Sequence, residues 1–188
     1  MKKLIRNSGF TIIELLLSLL ITGIISTAGL QLYIRLHNQT FAQENISDMQ
    51  QNCRATLYEI ENNLRMAGFK VGNHDAYDIN GDTLYIFSQI NNPIDTIIYY
   101  LQTSTESGNL ELPSNIQAKY LMKKTNSDNP IIYSSFIRDI TYSVINSNTI
   151  GIDLEIRTEF PDKDYNENEG YRIYAASESV TLRNLAFQ

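Results

Sequence analysis

The 188-residue chain has one cysteine, two histidines, four prolines and nine glycines. Cys53 cannot close an intramolecular disulfide, nor by itself build a multi-cysteine zinc or iron–sulfur centre. His37 and His74 leave few options for metal ligation or acid–base chemistry. Cations are also in short supply: 15 Lys and Arg face 21 Asp and Glu, a net charge of −6. That is the wrong sign for a protein held on phosphate backbones by cation neutralisation, so broad nucleic-acid binding is not expected. Scarce Gly and Pro exclude a collagen-like or low-complexity chain, and 43% apolar against 19% charged residues excludes a disordered acidic tail. There is no Walker A sequence, so any ATP-driven work belongs to a partner. There is no Gly-x-Ser-x-Gly elbow either, and His74-Asp75 has no second candidate base beside it; His74 reads as a loop residue and the chain as a non-enzyme.

What is present is concentrated at one end. Residues 10–34 carry a single charge, Glu14, and from Leu15 to Ile34 there is none. A helix of about 20 apolar residues matches the roughly 30 Å hydrocarbon core of a bilayer and exceeds the apolar part of a secretory signal. Lys2, Lys3 and Arg6 precede the run with no acid among them, which places the N-terminus in the cytoplasm and the rest outside. A cleaved secretory signal would need a small-residue site after the run, where the sequence reads Leu-Gln-Leu-Tyr-Ile-Arg-Leu-His. An ordinary single-pass anchor explains the length but not Glu14. A carboxylate there costs roughly 2.5–3.5 kcal/mol on insertion scales and marks a functional position whose partner has to be found.

Gly9-Phe10-Thr11-Ile12-Ile13-Glu14, after a short basic leader and before the apolar run, resembles the class III signal of type IV prepilins and pseudopilins. The resemblance implies cleavage after Gly9 by a prepilin peptidase, methylation of the new N-terminal Phe10, and subunit docking through Glu14. A glutamate costly alone in lipid is relieved by an opposite charge brought by a neighbouring subunit. Independently of any family, Glu14, Ser18, Thr22, Ser26 and Gly29 recur every three or four residues and share one helix face; small residues there allow close helix packing. Many major pilins carry a proline along this helix, where this chain has only Gly23 and Gly29.

Beyond Ile34 no Pro or Gly occurs until Gly68, a candidate C-cap. Ile46, Met49, Cys53, Leu57, Ile60 and Leu64 form a stripe of helical period, with Asp48, Arg54, Glu59, Glu61 and Arg65 on a solvated face. Cys53 reads as a small core residue. A helix over 10–67 would be roughly 85 Å long at about 1.5 Å per residue, too long for its own head to enclose. Strands are expected at 83–88, 96–102, 118–123, 131–134, 137–145, 149–160 and 170–183, where Ile, Tyr, Val and Thr are bounded by Asn, Gly, Ser, Pro and Asp. In the sixth, Ile150, Ile152, Leu154 and Ile156 alternate with Gly151, Asp153, Glu155 and Arg157, a half-buried pattern. Asn146-Ser147-Asn148 reads as a hairpin turn. Asp75, Asp78, Asn80 and Asp82, and again Asp162, Asp164, Asn166 and Asn168, read as solvated loops; the second set lacks the glycine and the terminal glutamate of an EF-hand.

The expected fold is therefore α+β: a cleaved basic leader (1–9), a transmembrane assembly half-helix (10–34), an amphipathic half-helix (35–68) and a β-rich periplasmic head (69–188) with an antiparallel sheet on the stripe. Leu64-Arg65-Met66-Ala67-Gly68-Phe69, the order of the segments at Tyr99–Leu101, Tyr120–Lys123, Pro130–Ile132 and Phe136–Tyr142, and the closing Val180-Thr181-Leu182-Arg183-Asn184 resemble PilW-like minor pilins. The same order resembles J-type pseudopilins of type II secretion; Lys123 stands where that group often has Arg. The resemblance implies a minor subunit that helps initiate a type IV pilus near its tip, with a type II secretion pseudopilin as the first alternative and a membrane-anchored periplasmic hydrolase or binding protein as the second. Implied partners are the peptidase, other pilin or pseudopilin subunits, the inner-membrane assembly platform with its ATPase, and membrane lipid. No cofactor is implied. Loss of the leader removes Lys2, Lys3 and Arg6, taking the net charge from −6 to −9.

Overall fold

The computed structural model describes residues 10–72, 74–89, 94–106 and 108–184. The chain divides into two compact units, 1–43 and 44–188. One helix, α1 (Ile12–Met66), begins in the first unit and ends in the second, followed by strands β1 (Tyr77–Asn80), β2 (Thr83–Ser88), β3 (Asp95–Thr103), β4 (Lys119–Thr125), β5 (Ile131–Asn146), β6 (Thr149–Arg157) and β7 (Ile173–Thr181). The strands form one antiparallel meander in which spatial order equals chain order. Short connections between successive strands suffice for such a sheet.

Within the second unit the predicted stripe is the packing surface. Met49, Cys53, Leu57, Ile60 and Leu64 are buried, with Ile46 against them, and they join Leu84, Ile86, Tyr99, Leu121, Ile137, Ile140, Ile150, Ile152, Leu154, Ile156, Val180 and Leu182 in one core. The helix stops where the sequence has its first glycine after the span: Gly68 adopts φ 77°, and its N–H donates to Phe87 O at 2.9 Å rather than to the helix. A Cβ at Gly68 would lie 3.0 Å from that of Ala76. Glycine is therefore required both for the left-handed turn and for the close approach.

Three expectations are corrected. The acidic stretch around Asp78 is strand β1, paired to β2 from Tyr77↔Ile86 to Asn80↔Thr83; its four residues are bounded by the tight Gly81 turn. The segments expected at 131–134 and 137–145 are a single strand, β5. The apparent break is a bulge: Leu121 pairs with Ser134 but Lys119 pairs with Ile137, one residue too many on β5. Phe136 takes it up with φ 61°, unusual for an aromatic residue. Finally Arg157, expected on the exposed face of β6, is 4% exposed. Its guanidinium lies 4.1 Å from the Tyr171 ring centroid and 5.8 Å from that of Phe136. It donates from Nη1 to Thr158 O at 2.9 Å and from Nη2 to Asn109 Oδ1 at 3.2 Å. Aromatic faces and carbonyls replace water around the charge.

Candidate functional site

The first unit is built from residues that have nowhere to hide their side chains. From Phe10 to Phe41 every residue is exposed, including Phe10 at 87% and Ile12 at 78%. This helix is long and apolar enough to cross a membrane. Its backbone polar groups are satisfied along its own axis, the condition for a single segment in hydrocarbon.

Its start is fixed by Thr11 and Glu14. Thr11 N–H donates to Glu14 Oε2 at 2.9 Å, and Glu14 N–H is 3.3 Å from Thr11 Oγ1. The Thr11 hydroxyl also reaches Glu14 Oε2 at 3.1 Å, and Leu15 N–H closes the first turn on Thr11 O at 3.2 Å. This is a reciprocal capping box, Thr-x-x-Glu. The Thr-x-x-Glu spacing is legible in the sequence. The carboxylate thus neutralises orphan donors of the helix start, which lowers its cost at that depth. Oε1 has no hydrogen-bond partner among the described residues.

The small-residue face follows. Ser18 Oγ donates to Leu15 O at 2.8 Å and Thr22 Oγ1 to Ser18 O at 2.7 Å, so these hydroxyls are satisfied by their own helix and the face is smooth rather than donor-rich. Nothing lies within 4 Å of a Cβ built on Gly29, and Ser26 is exposed beside it. At 100° per residue the five positions from Glu14 to Gly29 fall within an arc of roughly 120°. On the other side of the helix, Gly23 opens a hollow of about 460 Å³ lined by Leu20, Ile24, Thr27, Ala28 and Gln31. Sequence reasoning missed this second recess. Its signal was Gly23 four residues before Thr27, a small-x-x-x-small spacing. Phe10 precedes the helix, while Gly9 and the leader fall outside the described residues.

Residues 4–30 match the prokaryotic N-terminal methylation motif. That match supports a prepilin of the type IV pilin or pseudopilin kind. It implies processing by prepilin peptidase and assembly with other pilin subunits, and with the apolar helix it fits membrane anchoring followed by incorporation into a pilus. No curated protein and no solved structure gives a significant match.

In the head, His74, Cys53 and the second acidic loop lie on separate elements. His74 is exposed, its Nδ1 2.8 Å from Asp75 O and its ring against Phe87. Burial pushes the Cys53 thiol above its ordinary value, which disfavours the reactive thiolate. Asp162, in the second acidic loop, accepts from Asp164 N–H at 3.0 Å and from Arg172 Nη2 at 2.8 Å; these bonds hold its carboxyl below the usual range. No group of three or more His, Cys, Asp or Glu is placed to hold a metal ion among the described residues.

Proposed function

We propose that the protein is a minor pilin-like structural subunit, without catalytic turnover, that is cleaved after Gly9, methylated on Phe10 and incorporated through α1 into a type IV pilus, where it helps initiate assembly near the tip. Before cleavage it sits in the inner membrane with the leader in the cytoplasm and the head outward. The observation that carries the reading is Glu14: the methylation motif covers it, the capping box orients it, and an uncharged helix face follows it. The cap uses only atoms of Thr11 and Glu14, so cleavage before Phe10 leaves it intact while creating an α-amine at Phe10, the cation a neighbouring Glu14 needs. The minor-subunit assignment is supported by the Leu64–Phe69 and Val180–Asn184 segments. Asn184 Nδ2 donates to Ala67 O at 3.1 Å, so the two segments meet at one junction. A J-type pseudopilin of type II secretion shares these features and is the second reading.

Gly9→Ala tests the processing step. The full chain should accumulate as a precursor about nine residues heavier on a gel, and normal cleavage would remove the assignment. Glu14→Leu tests docking: insertion and cleavage should proceed while the share recovered in sheared filaments falls at least tenfold.

A further inference from the structure

The meander ends in two edge strands that are built differently. At one edge β1 has four residues. Phe87 N–H donates to Ala76 O at 2.9 Å, continuing the register of β1 on β2. Bonded pairs alternate from Ala76, so in β1 only Tyr77 and Ile79 turn N–H and C=O away from the sheet. Asp78 lies within the strand, with Asp75 and Asp82 close by in the chain; shortness and charge are devices that guard an edge. At the other edge β7 has nine residues, paired with β6 from Thr149↔Thr181 to Arg157↔Ile173 without a bulge. Thr158 N–H donates to Arg172 O at 2.9 Å and Leu182 N–H to Asn148 O at 2.8 Å, continuing that ladder at both ends. The even-numbered residues of β7 are therefore the ones bonded to β6. Ile173, Ala175, Ser177, Ser179 and Thr181 direct N–H and C=O outward, and among the described residues no backbone group bonds to that row. All of these but Ile173 are exposed. The strand contains no Pro, Gly, Lys or Arg, and Glu178 is its one charge.

A long, flat, exposed edge with a free ladder of donors and acceptors is a template for one more strand. We propose that β7 is a docking edge, which an extended segment of a different pilin-like subunit joins as an eighth strand. A second copy fits poorly. Its β7 would pair about a two-fold axis through the sheet, which reverses every direction in the sheet plane, that of the packed part of α1 included; chains anchored by this helix share one direction. Its β1 would offer only Tyr77 and Ile79, and would bring Asp78 toward Glu178. The chemistry of the edge describes the incoming segment. It places a neutral or basic residue beside Glu178. On the face that carries Ala175, Ser177 and Ser179, small residues leave room for larger β-branched or aromatic side chains. Backbone bonds supply the attraction and the single carboxylate helps select the register. The inference rests on the reading of the protein as an assembly subunit.

The test has two arms on the full chain. Quenched amide hydrogen exchange, resolved to single residues, compares the chain in detergent micelles with the chain in sheared filaments. The amides of Ala176, Glu178 and Val180 should be slow in both. Those of Ala175, Ser177 and Ser179 should be fast in micelles and at least tenfold slower in filaments. Equal rates for these three in the two states overturn the proposal. In cells, Ser179→Pro removes an outward N–H, and Ala175→Lys/Ser179→Lys keeps every N–H while adding the charges of a guarded edge. Both variants should be cleaved normally and fall at least tenfold in sheared filaments. If the proline variant loses the slow exchange of Ala176, Glu178 and Val180, the fold is altered and the lysine pair alone decides. Normal incorporation of the lysine pair overturns the docking role and leaves the assembly reading standing. A Ser177→Cys chain that oxidises to a disulfide-linked dimer of itself in filaments overturns the choice of a different subunit. If the unaltered chain is neither cleaved nor recovered in filaments, the assembly reading itself fails, and the docking proposal with it.

Discussion

The two stretches of α1 differ in what their apolar residues touch. Between Ile12 and Phe41 no residue is even partly buried, whereas between Met49 and Leu64 the helix buries Met49, Cys53, Thr56, Leu57, Ile60 and Leu64. The first stretch is apolar nearly all round as far as Ile34, and the second only on a stripe. That is the difference between a helix whose surroundings are lipid or other subunits and one packed on its own sheet. Helical conformation is common to both; the source of stability is not. In the first it comes from backbone satisfaction in hydrocarbon, in the second from apolar burial.

The largest effect should come from asking each stretch to lose one side chain. Ile60→Ala removes a fully buried residue from the centre of the head core and should lower stability by about 2–5 kcal/mol. Leu20→Ala, at 60% exposure in the first unit, should leave unfolding of the head within about 0.5 kcal/mol of the unaltered chain. Denaturant unfolding of the full chain in detergent, followed through head tyrosine fluorescence, measures both. Equal losses would abolish the distinction between the stretches.

A smaller loss is expected at the end of the helix. Gly68→Ala places a Cβ at φ 77° and 3.0 Å from that of Ala76, which should cost about 2 kcal/mol through left-handed strain and crowding. The same substitution at Gly29, with φ in the ordinary range and nothing within 4 Å, should leave head stability unchanged. If Gly29→Ala still reduced recovery in filaments, the small-residue face would be marked as a contact between subunits rather than a structural need of the monomer.

Much of this contrast was legible in the sequence because it is periodic. The stripe from Ile46 to Leu64 and the uncharged run from Leu15 to Ile34 are patterns of spacing, and the structure places both in α1. The β5 bulge was not legible, since Ser134-Ser135-Phe136 looks like an interruption until the partner strand shows that one residue has been absorbed. Arg157 was assigned to the wrong side of burial for a related reason. Alternation along β6 predicts which face a side chain leaves from, and gives no sign that Phe136, Tyr171 and Asn109 close over it from three other segments. The capping box at Thr11 was readable and was obscured by the charge of Glu14, whose local role and whose membrane cost point to different physics.

The smallest effect concerns the polar seam that crosses from the packed half of α1 to the sheet. Lys123 Nζ lies 2.6 Å from Glu59 Oε1, and Asn63 Nδ2 bridges Glu59 Oε1 at 3.0 Å and Tyr99 OH at 2.8 Å. The Lys123 hydrogen bond, with help from Asn63, holds the Glu59 carboxyl below its ordinary value, while burial pushes the Tyr99 phenol upward. A carboxyl lowered by folding stabilises the native state fully above its unfolded pKa of about 4.3, and that stabilisation is lost as pH falls through the lower folded value. Because Glu59 is partly exposed, the loss on Glu59→Gln should be only about 1 kcal/mol near neutral pH. The variant should also show a flatter decline below about pH 4.3 than the unaltered chain. Lys123→Met should reproduce both changes, and Arg54→Met, on the same helix but without an acidic partner among the described residues, should reproduce neither. Parallel acid limbs for Glu59→Gln and the unaltered chain would place the seam among contacts that fix the geometry of helix on sheet without adding measurable stability.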